Sequence, residues 1–215
     1  MKDMIESFGV PHTEVELIII NGESADFSRV VRDGDRIGVY PMFESLDITP
    51  ELHLRSQPLR NPTFVLDVHL GKLAAYLRML GFDALYRSCH NDAELVEISS
   101  LERRILLTRD RGLLKHSAIS HGYWLRETDS RRQAAEVIQR FDLAHFIRPF
   151  TRCMACNGAI ESVSRERVRD RLAPRTVGLY NVFRQCSQCG RVYWKGTHYE
   201  RMPRWVEELT SSTRP

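Results

Sequence analysis

Four of the five cysteines in this chain fall in two pairs, Cys153-Met154-Ala155-Cys156 and Cys186-Ser187-Gln188-Cys189, with 29 residues between them. A Cys-x-x-Cys turn aims two thiolates at one point. Two such turns complete a tetrahedron, which Zn²⁺ accepts because it imposes no d-electron geometry of its own. Four cysteine ligands leave no open position, so the expected metal is structural, not catalytic. Asn157-Gly158 and Gly190 follow the second cysteine of each pair, and such turn-prone residues let backbone amides point at the sulfurs. The competing chemistry is a redox dithiol, or two unrelated thiol pairs. Cys89, far upstream, reads as a small packed side chain. His198 does not fit a knuckle spacing.

A second constellation is acidic. Asp67 and Asp110 each stand directly after a short apolar run, Asp129 stands just beyond another, and Asp92 opens the helical stretch that follows a fourth. If those runs are parallel strands, the carboxyl ends that carry ligands in open α/β sheets gather these acids on one rim. Close carboxylates raise each other's pKa unless a cation joins them. Hard oxygen ligands suit Mg²⁺ or Mn²⁺, and an ion so held serves phosphodiester hydrolysis. The alternative is helix capping, at which Asp excels. Capping competes most strongly for Asp92 and Asp129, and Glu94 or Glu97 can replace Asp92 beside a cation. Lys72, Arg78, Arg109 and Arg111 are expected near this rim, as phosphate-steering groups or as ordinary surface charges.

The elements that must position these residues follow from hydrophobic period and turn signals. Residues 63–147 alternate strand and helix. The expected strands are Phe64–Leu66, Ala84–Arg87, Arg104–Thr108 and Gly122–Arg126. Leu70, Leu73, Ala74, Leu77 and Leu80 recur at helical spacing before Gly81. Asn91 and Glu94 form a capping-box pattern, Arg111–His116 reads as a short helix, and Ser130-x-x-Gln133 opens a last helix through Phe141. Such alternation implies a parallel sheet covered on both faces. Ahead of it, Glu14–Ile20 and Arg36–Tyr40 read as strands, with an Asn21-Gly22 turn and one possible helical turn at the start. Residues 46–62 carry Pro50, Pro58 and Pro62 and read as a connector. Glu161–Leu172 reads as a charge-rich helix within a cysteine-bearing unit over 148–209, and 210–215 as a disordered tail.

Composition narrows the class. Hydrophobic residues make up 42% of the 215, and no apolar run is long enough for a membrane span or a signal peptide. A cytoplasmic protein without membrane partners is therefore expected, and paired cysteines in a reducing compartment favour metal over disulfide. Charge is unevenly spread. Residues 1–60 hold six Lys/Arg against eleven Asp/Glu, and residues 145–215 hold thirteen against six. A basic unit beside a zinc site suits a polyanion such as nucleic acid, or is a solvated face. Arg184, Arg191, Lys195 and Arg201 supply charge there. Tyr193, Trp194 and Tyr199 either stack bases or pack the unit's core.

Three segments, FVLDVHLGKLAAYLRMLG from Phe64, LLTRDRGLL from Leu106 and CSQCGRVYWKGTHYERM from Cys186, together resemble the PIN-like ribonuclease family of the Mut-seven exonuclease C-terminal type, Mut7-C. The resemblance spans about residues 63–205. It implies a PIN-like three-layer αβα fold with a C-terminal zinc ribbon and a metal-dependent ribonuclease using Mg²⁺ or Mn²⁺. Asp67 and Asp110 lead the acidic site, with Asp92 next and Asp129 fourth. RNA is the expected partner (a transfer RNA or another structured RNA), cut to leave a 5′-phosphate and a 3′-hydroxyl. The opening segment, with VPHTEVELIIINGES and DGDRIGVYPMFE, resembles the ubiquitin-like β-grasp domain that accompanies this nuclease. With no room before it for a first hairpin, a partial β-grasp over 1–45 is expected. It has no free diglycine tail, so conjugation is not expected. The rival function is a non-catalytic RNA- or ribosome-binding protein, with the acids serving only as caps; a thiol–disulfide enzyme is a third class.

Overall fold

In the computed structural model, residues 1–41 and 62–194 are described. Their centre is a four-stranded parallel sheet built from β4 (Phe64–Leu66), β5 (Ala84–Leu85), β6 (Ile105–Thr108) and β7 (Gly122–Trp124), in the order β5-β4-β6-β7. The strands are apolar on both faces, as a sheet covered on two sides requires. Phe64, Leu66, Ile105 and Leu107 pack on one side with Leu73, Leu77, Val137 and Ile138. These partners come from α2 (Gly71–Met79) and α4 (Ser130–Arg140). Val65 and Leu106 pack on the other side with Leu95 of α3 (Asp92–Leu101) and with Leu113 and Leu114 of a 3-10 turn. The arrangement is the three-layer αβα sandwich expected from the alternation.

Two helix starts show local chemistry at work. Asn91 caps α3, accepting from the Glu94 amide at 2.9 Å while Glu94 accepts from the Asn91 amide at 2.8 Å, a complete capping box. The box expected from Ser130 and Gln133 does not form. Asp129 is the cap instead, accepting from the amides of Arg131 and Arg132, while the Gln133 side chain donates to the Glu127 carbonyl. A carboxylate one residue earlier reaches the same orphan amides with full charge. At the end of α2, Gly81 has φ +100°, and a β-carbon there would collide with the Arg148 carbonyl oxygen, leaving no room for a side chain.

The opening segment holds helix α1 (Lys2–Ser7) and an antiparallel sheet ordered β2-β1-β3, from β1 (Leu17–Ile20), β2 (Glu23–Ala25) and β3 (Ile37–Tyr40). Asn21 and Gly22 have φ of 53° and 93° and form the two-residue loop joining β1 to β2. Such a loop matches strand twist only when both residues are left-handed. This unit closes the open edge of β7. The Glu14 carboxylate accepts from the Trp124 amide at 2.9 Å and from Arg126 Nη2 at 3.1 Å, and Arg140 Nη2 donates to the Glu14 carbonyl. A sheet edge left bare is a pairing liability, which Glu14 removes.

The third sheet is antiparallel, ordered β10-β9-β8, from β8 (Ile160–Val163), β9 (Phe183–Cys186) and β10 (Val192–Trp194). The single helix expected over 161–172 is absent. Residues 160–163 are strand because β9 pairs with them, Ile160 against Cys186 through Val163 against Phe183. Only short helical pieces follow, α5 (Arg165–Val168), a 3-10 turn and α6 (Pro174–Leu179). Residues 42–61 and 195–215, and with them Pro50, Pro58, Lys195, His198, Tyr199 and Arg201, lie outside the described residues. Among the described residues no helix is long and apolar enough to cross a membrane.

Candidate active site and metal centre

The connection leaving β4 runs outward to β5, and the next returns to β6 on the other side of β4. The sheet's switch point therefore lies between the carboxyl ends of β4 and β6, where α/β sheets open a crevice for ligands. Asp67 follows β4 and Asp110 lies two residues beyond β6. The Thr108 hydroxyl joins them. It donates to Asp67 Oδ2 at 2.7 Å and accepts from the Asp110 amide at 2.9 Å. The Asp67 amide donates to the Leu107 carbonyl at 3.1 Å, fixing the backbone below.

The two carboxylates differ in setting. Asp67 is 8% exposed, precedes a 3-10 turn without capping it, and forms no ion pair with a described residue. A buried carboxylate without a positive neighbour is costly, and a cation is what relieves it. Asp110 is exposed, and its Oδ1 accepts from the Gly112 amide at 2.7 Å. Asp92 is the exposed first residue of α3, and Asp129 spends one oxygen capping α4. Both helices begin at the same end of the sheet as Asp67. Among the described residues, however, the acids do not form a group of three or more placed to share one ion. Glu94 is engaged in its capping box.

Sequence reading missed three groups at this rim. Thr108 is one. It is the polar terminus of an otherwise apolar strand, and that position was the available signal. Trp124 is the second, with its indole N–H donating to the Arg109 carbonyl at 3.2 Å. The Arg111 guanidinium lies over its ring at 3.9 Å, and that of Arg126 at 5.0 Å. The third is Tyr86, whose hydroxyl donates to the Val68 carbonyl just after Asp67 and whose ring leaves no space for a side chain at Gly71. Lys72, Arg109 and Arg111 are exposed at or beside the rim as expected.

The cysteines converge. All four sulfurs lie within 4.8 Å of one another, with Cys153 to Cys189 at 3.6 Å and Cys156 to Cys186 at 3.4 Å. A tetrahedron with Zn–S of about 2.3 Å has sulfurs about 3.8 Å apart, whereas a disulfide brings them to about 2.05 Å. The spacing thus fits one ion shared by four thiolates. Both knuckles close the same way. Asn157 and Gly190, each next after the second cysteine, have φ of 69° and 71°, and their amides donate to the carbonyls of Cys153 and Cys186. Burial pushes the Cys153 thiol up, but the Tyr193 hydroxyl at 3.0 Å and nearby amides outweigh it and bring it down to about 6. Burial and the neighbouring sulfurs push Cys156 up to about 12. Together they mark a thiol cluster competing for protons that a metal would displace.

The cysteine cluster sits at the end of the sheet opposite the carboxylates. Asp83 and Arg104 precede β5 and β6, at their amino ends. The Asp83 carboxylate accepts from Arg104 Nη1 at 2.6 Å and Asn157 Nδ2 at 2.8 Å, and pairs with Arg152 at 3.0 Å. Asn157 Oδ1 in turn accepts from the Ala84 amide. Arg78 corrects the expectation of a rim cation. It is 3% exposed under the first knuckle, donating from Nε to the Ala84 carbonyl and from Nη1 to those of Met154 and Ala155. Its position in the last turn of α2 points it away from the rim. Burial lowers its pKa, against the opposing pull of Cys156, Cys153 and Asp83. Tyr193 is buried against Cys153, so it packs the knuckles and is no stacking platform, while Trp194 is partly open. Cys89 is exposed, not packed, because it lies in the loop after β5.

A parallel αβα sandwich with Asp67 and Asp110 at its switch point, joined to a ribbon whose four cysteines could hold a metal ion, defines a three-layer α/β protein with a cysteine-cluster appendage. The family model described as Mut7-C RNAse domain matches residues 62–206, and that described as Mut7-C ubiquitin matches residues 1–47. The chain belongs to the Mut7-C RNase family. Neither a curated protein nor a solved structure matches it.

Proposed function

We propose that this protein is a cytoplasmic, divalent-metal-dependent ribonuclease, with Asp67 and Asp110 as the residues that hold a Mg²⁺ or Mn²⁺ ion. The observation that carries the proposal is the buried Asp67 carboxylate, without an ionic partner among the described residues and tied through Thr108 to Asp110 at the switch point. Two protein carboxylates suit Mg²⁺, which keeps several waters and completes its shell with substrate phosphate oxygens. When bound, the ion would offset charge developing on the phosphoryl oxygens and lower the pKa of water. Thr108 holds Asp67 in place and leaves its other oxygen for the ion. Asp92 and Asp129 begin helices on the same rim and serve as outer carboxylates of the site. Lys72 and Arg109 attract phosphates to it. In this reading residues 1–45 are the ubiquitin-like unit, 63–147 the nuclease and 148–209 a zinc ribbon. Zinc there is structural, and Arg191 and Trp194 offer RNA a surface.

The test is the Asp67→Asn/Asp110→Asn double variant, assayed on a structured RNA with Mn²⁺ supplied. Cleavage should vanish while RNA binding persists. Cleavage at the wild-type rate by that variant would falsify the assignment. Wild-type protein that binds RNA but never cuts it would leave a non-catalytic RNA-binding protein.

A further inference from the structure

A cavity of about 160 Å³ lies between the opening unit and the loop after β6, lined by Glu6, Gly9, Val10, Arg111, Gly112 and Lys115, with Pro11 beside them. It adjoins the carboxylate rim directly. Gly112, part of its wall, donates its amide to Asp110 Oδ1, and Arg111 is the residue between them. We infer that this cavity is a phosphate-binding subsite for an RNA nucleotide neighbouring the one at Asp67 and Asp110, so that the ubiquitin-like unit helps bind the substrate. The inference rests on the ribonuclease reading and adds a role for the N-terminal unit.

Three observations point to an anion. First, Arg111 and Lys115 form no ion pair with a described residue, and the one acid in the lining, Glu6, is already bonded to His12 Nδ1 at 2.7 Å. Burial lowers the His12 pKa, so that bond orients the Glu6 carboxylate without cancelling its charge, and two cations against one carboxylate leave the cavity net positive. Second, the Arg111 guanidinium is held by its stack on Trp124 at 3.9 Å and lies beside Gly9, where an added β-carbon would be 3.8 Å from Nη2. A planar fork fixed in advance loses less freedom on binding a phosphate than a free side chain does. Third, the volume is below the ~300–1,000 Å³ of most small-molecule sites. It suits one charged group of a larger ligand whose remainder runs outside. The opposite wall belongs to residues 9–11, so the site exists only while the N-terminal unit stays docked through Glu14.

The test uses the full chain and a fluorescein-labelled single-stranded oligoribonucleotide, with anisotropy read between roughly 50 and 300 mM salt and no added Mg²⁺ or Mn²⁺. Single-stranded contacts contribute a salt slope of about −0.7 each, so Arg111→Gln/Lys115→Gln should lower the slope by about 1.4. Affinity at the low-salt end should fall on the order of tenfold or more. Val10→Glu, an exposed change on the N-terminal wall, should weaken binding similarly by neutralising the cavity, while Val10→Gln should not. Val10→Glu also keeps the test decisive if loss of the Trp124 stack unfolds the double variant. RNA cleavage by the wild type together with unaltered binding by Val10→Glu and the double variant overturns the subsite and leaves the nuclease reading intact. A wild type that neither binds nor cuts RNA overturns both.

Discussion

Replacing Thr108 by valine should separate catalysis from folding. Valine keeps the shape of threonine but cannot donate to Asp67 Oδ2 or accept from the Asp110 amide, the two bonds of 2.7 and 2.9 Å that join the acids. A hydrogen bond to a charged acceptor contributes about 1.5–3 kcal/mol. Thr108 is wholly buried, so water does not replace it. At about 1.4 kcal/mol per tenfold, loss of positioning at Asp67 corresponds to roughly 10–100-fold in metal affinity or rate. Removing a group that orients a metal ligand costs about as much elsewhere. The assay is the initial rate of RNA cleavage across a Mn²⁺ titration, with the unfolding temperature measured alongside. Thr108→Val should need more Mn²⁺ and show kcat/KM reduced by that factor, and Thr108→Ser, which restores the hydroxyl, should recover most of it. If Thr108→Val cuts RNA within about twofold of wild type at every Mn²⁺ concentration while Asp67→Asn is inactive, the hydroxyl bridge has no part in the site.

Arg78→Met should cost about 3–5 kcal/mol, because three carbonyls shared between α2, β5 and the first knuckle lose a buried charged donor. For a chain of this size that lowers the unfolding temperature by roughly 6–20 °C, and a drop under about 2 °C would contradict the role assigned to Arg78. Elemental analysis should find one zinc per chain, and stripping it or making Cys186→Ser should expose β8, β9 and β10 to hydrogen exchange; zinc-free protein with those amides still protected would argue for another use of the thiols. Burial pushes the Asp83 carboxyl up, but Arg104 and Asn157, with the charge of Arg152, outweigh it and hold it below the usual carboxylate range. Its folded pKa is therefore below the unfolded value of about 3.9. Its contribution is fully present above about pH 4 and is lost as the pH falls through the folded pKa. Asp83→Asn should flatten that acid limb in pH-dependent unfolding, and an unchanged limb would remove Asp83 from the interface.

Much of this was local and so readable from residues in order. Strand–helix alternation set by Phe64–Leu66, the Leu70 to Leu80 period and Arg104–Thr108 specified the sandwich, since burying both faces of a sheet demands those patterns. The twin Cys-x-x-Cys spacing specified a tetrahedral sulfur site, because each turn fixes its own pair. The Asn91–Glu94 box and the Asn21-Gly22 turn depend only on neighbours. What partners decide was hidden. Glu161–Val163 opens a charge-rich stretch that reads as helix yet is strand, because β9 supplies its hydrogen bonds. Arg78 looks like any surface arginine until the knuckle carbonyls, more than 70 residues away, surround it. Thr108 becomes the link between Asp67 and Asp110 only once β4 and β6 are adjacent, a pairing of distant segments that loop closure and sheet order settle. Periodicity and spacing are properties of consecutive residues; which side chains finally face each other is a property of the packed sheet, where desolvation and hydrogen-bond completion choose among surfaces the sequence leaves equivalent.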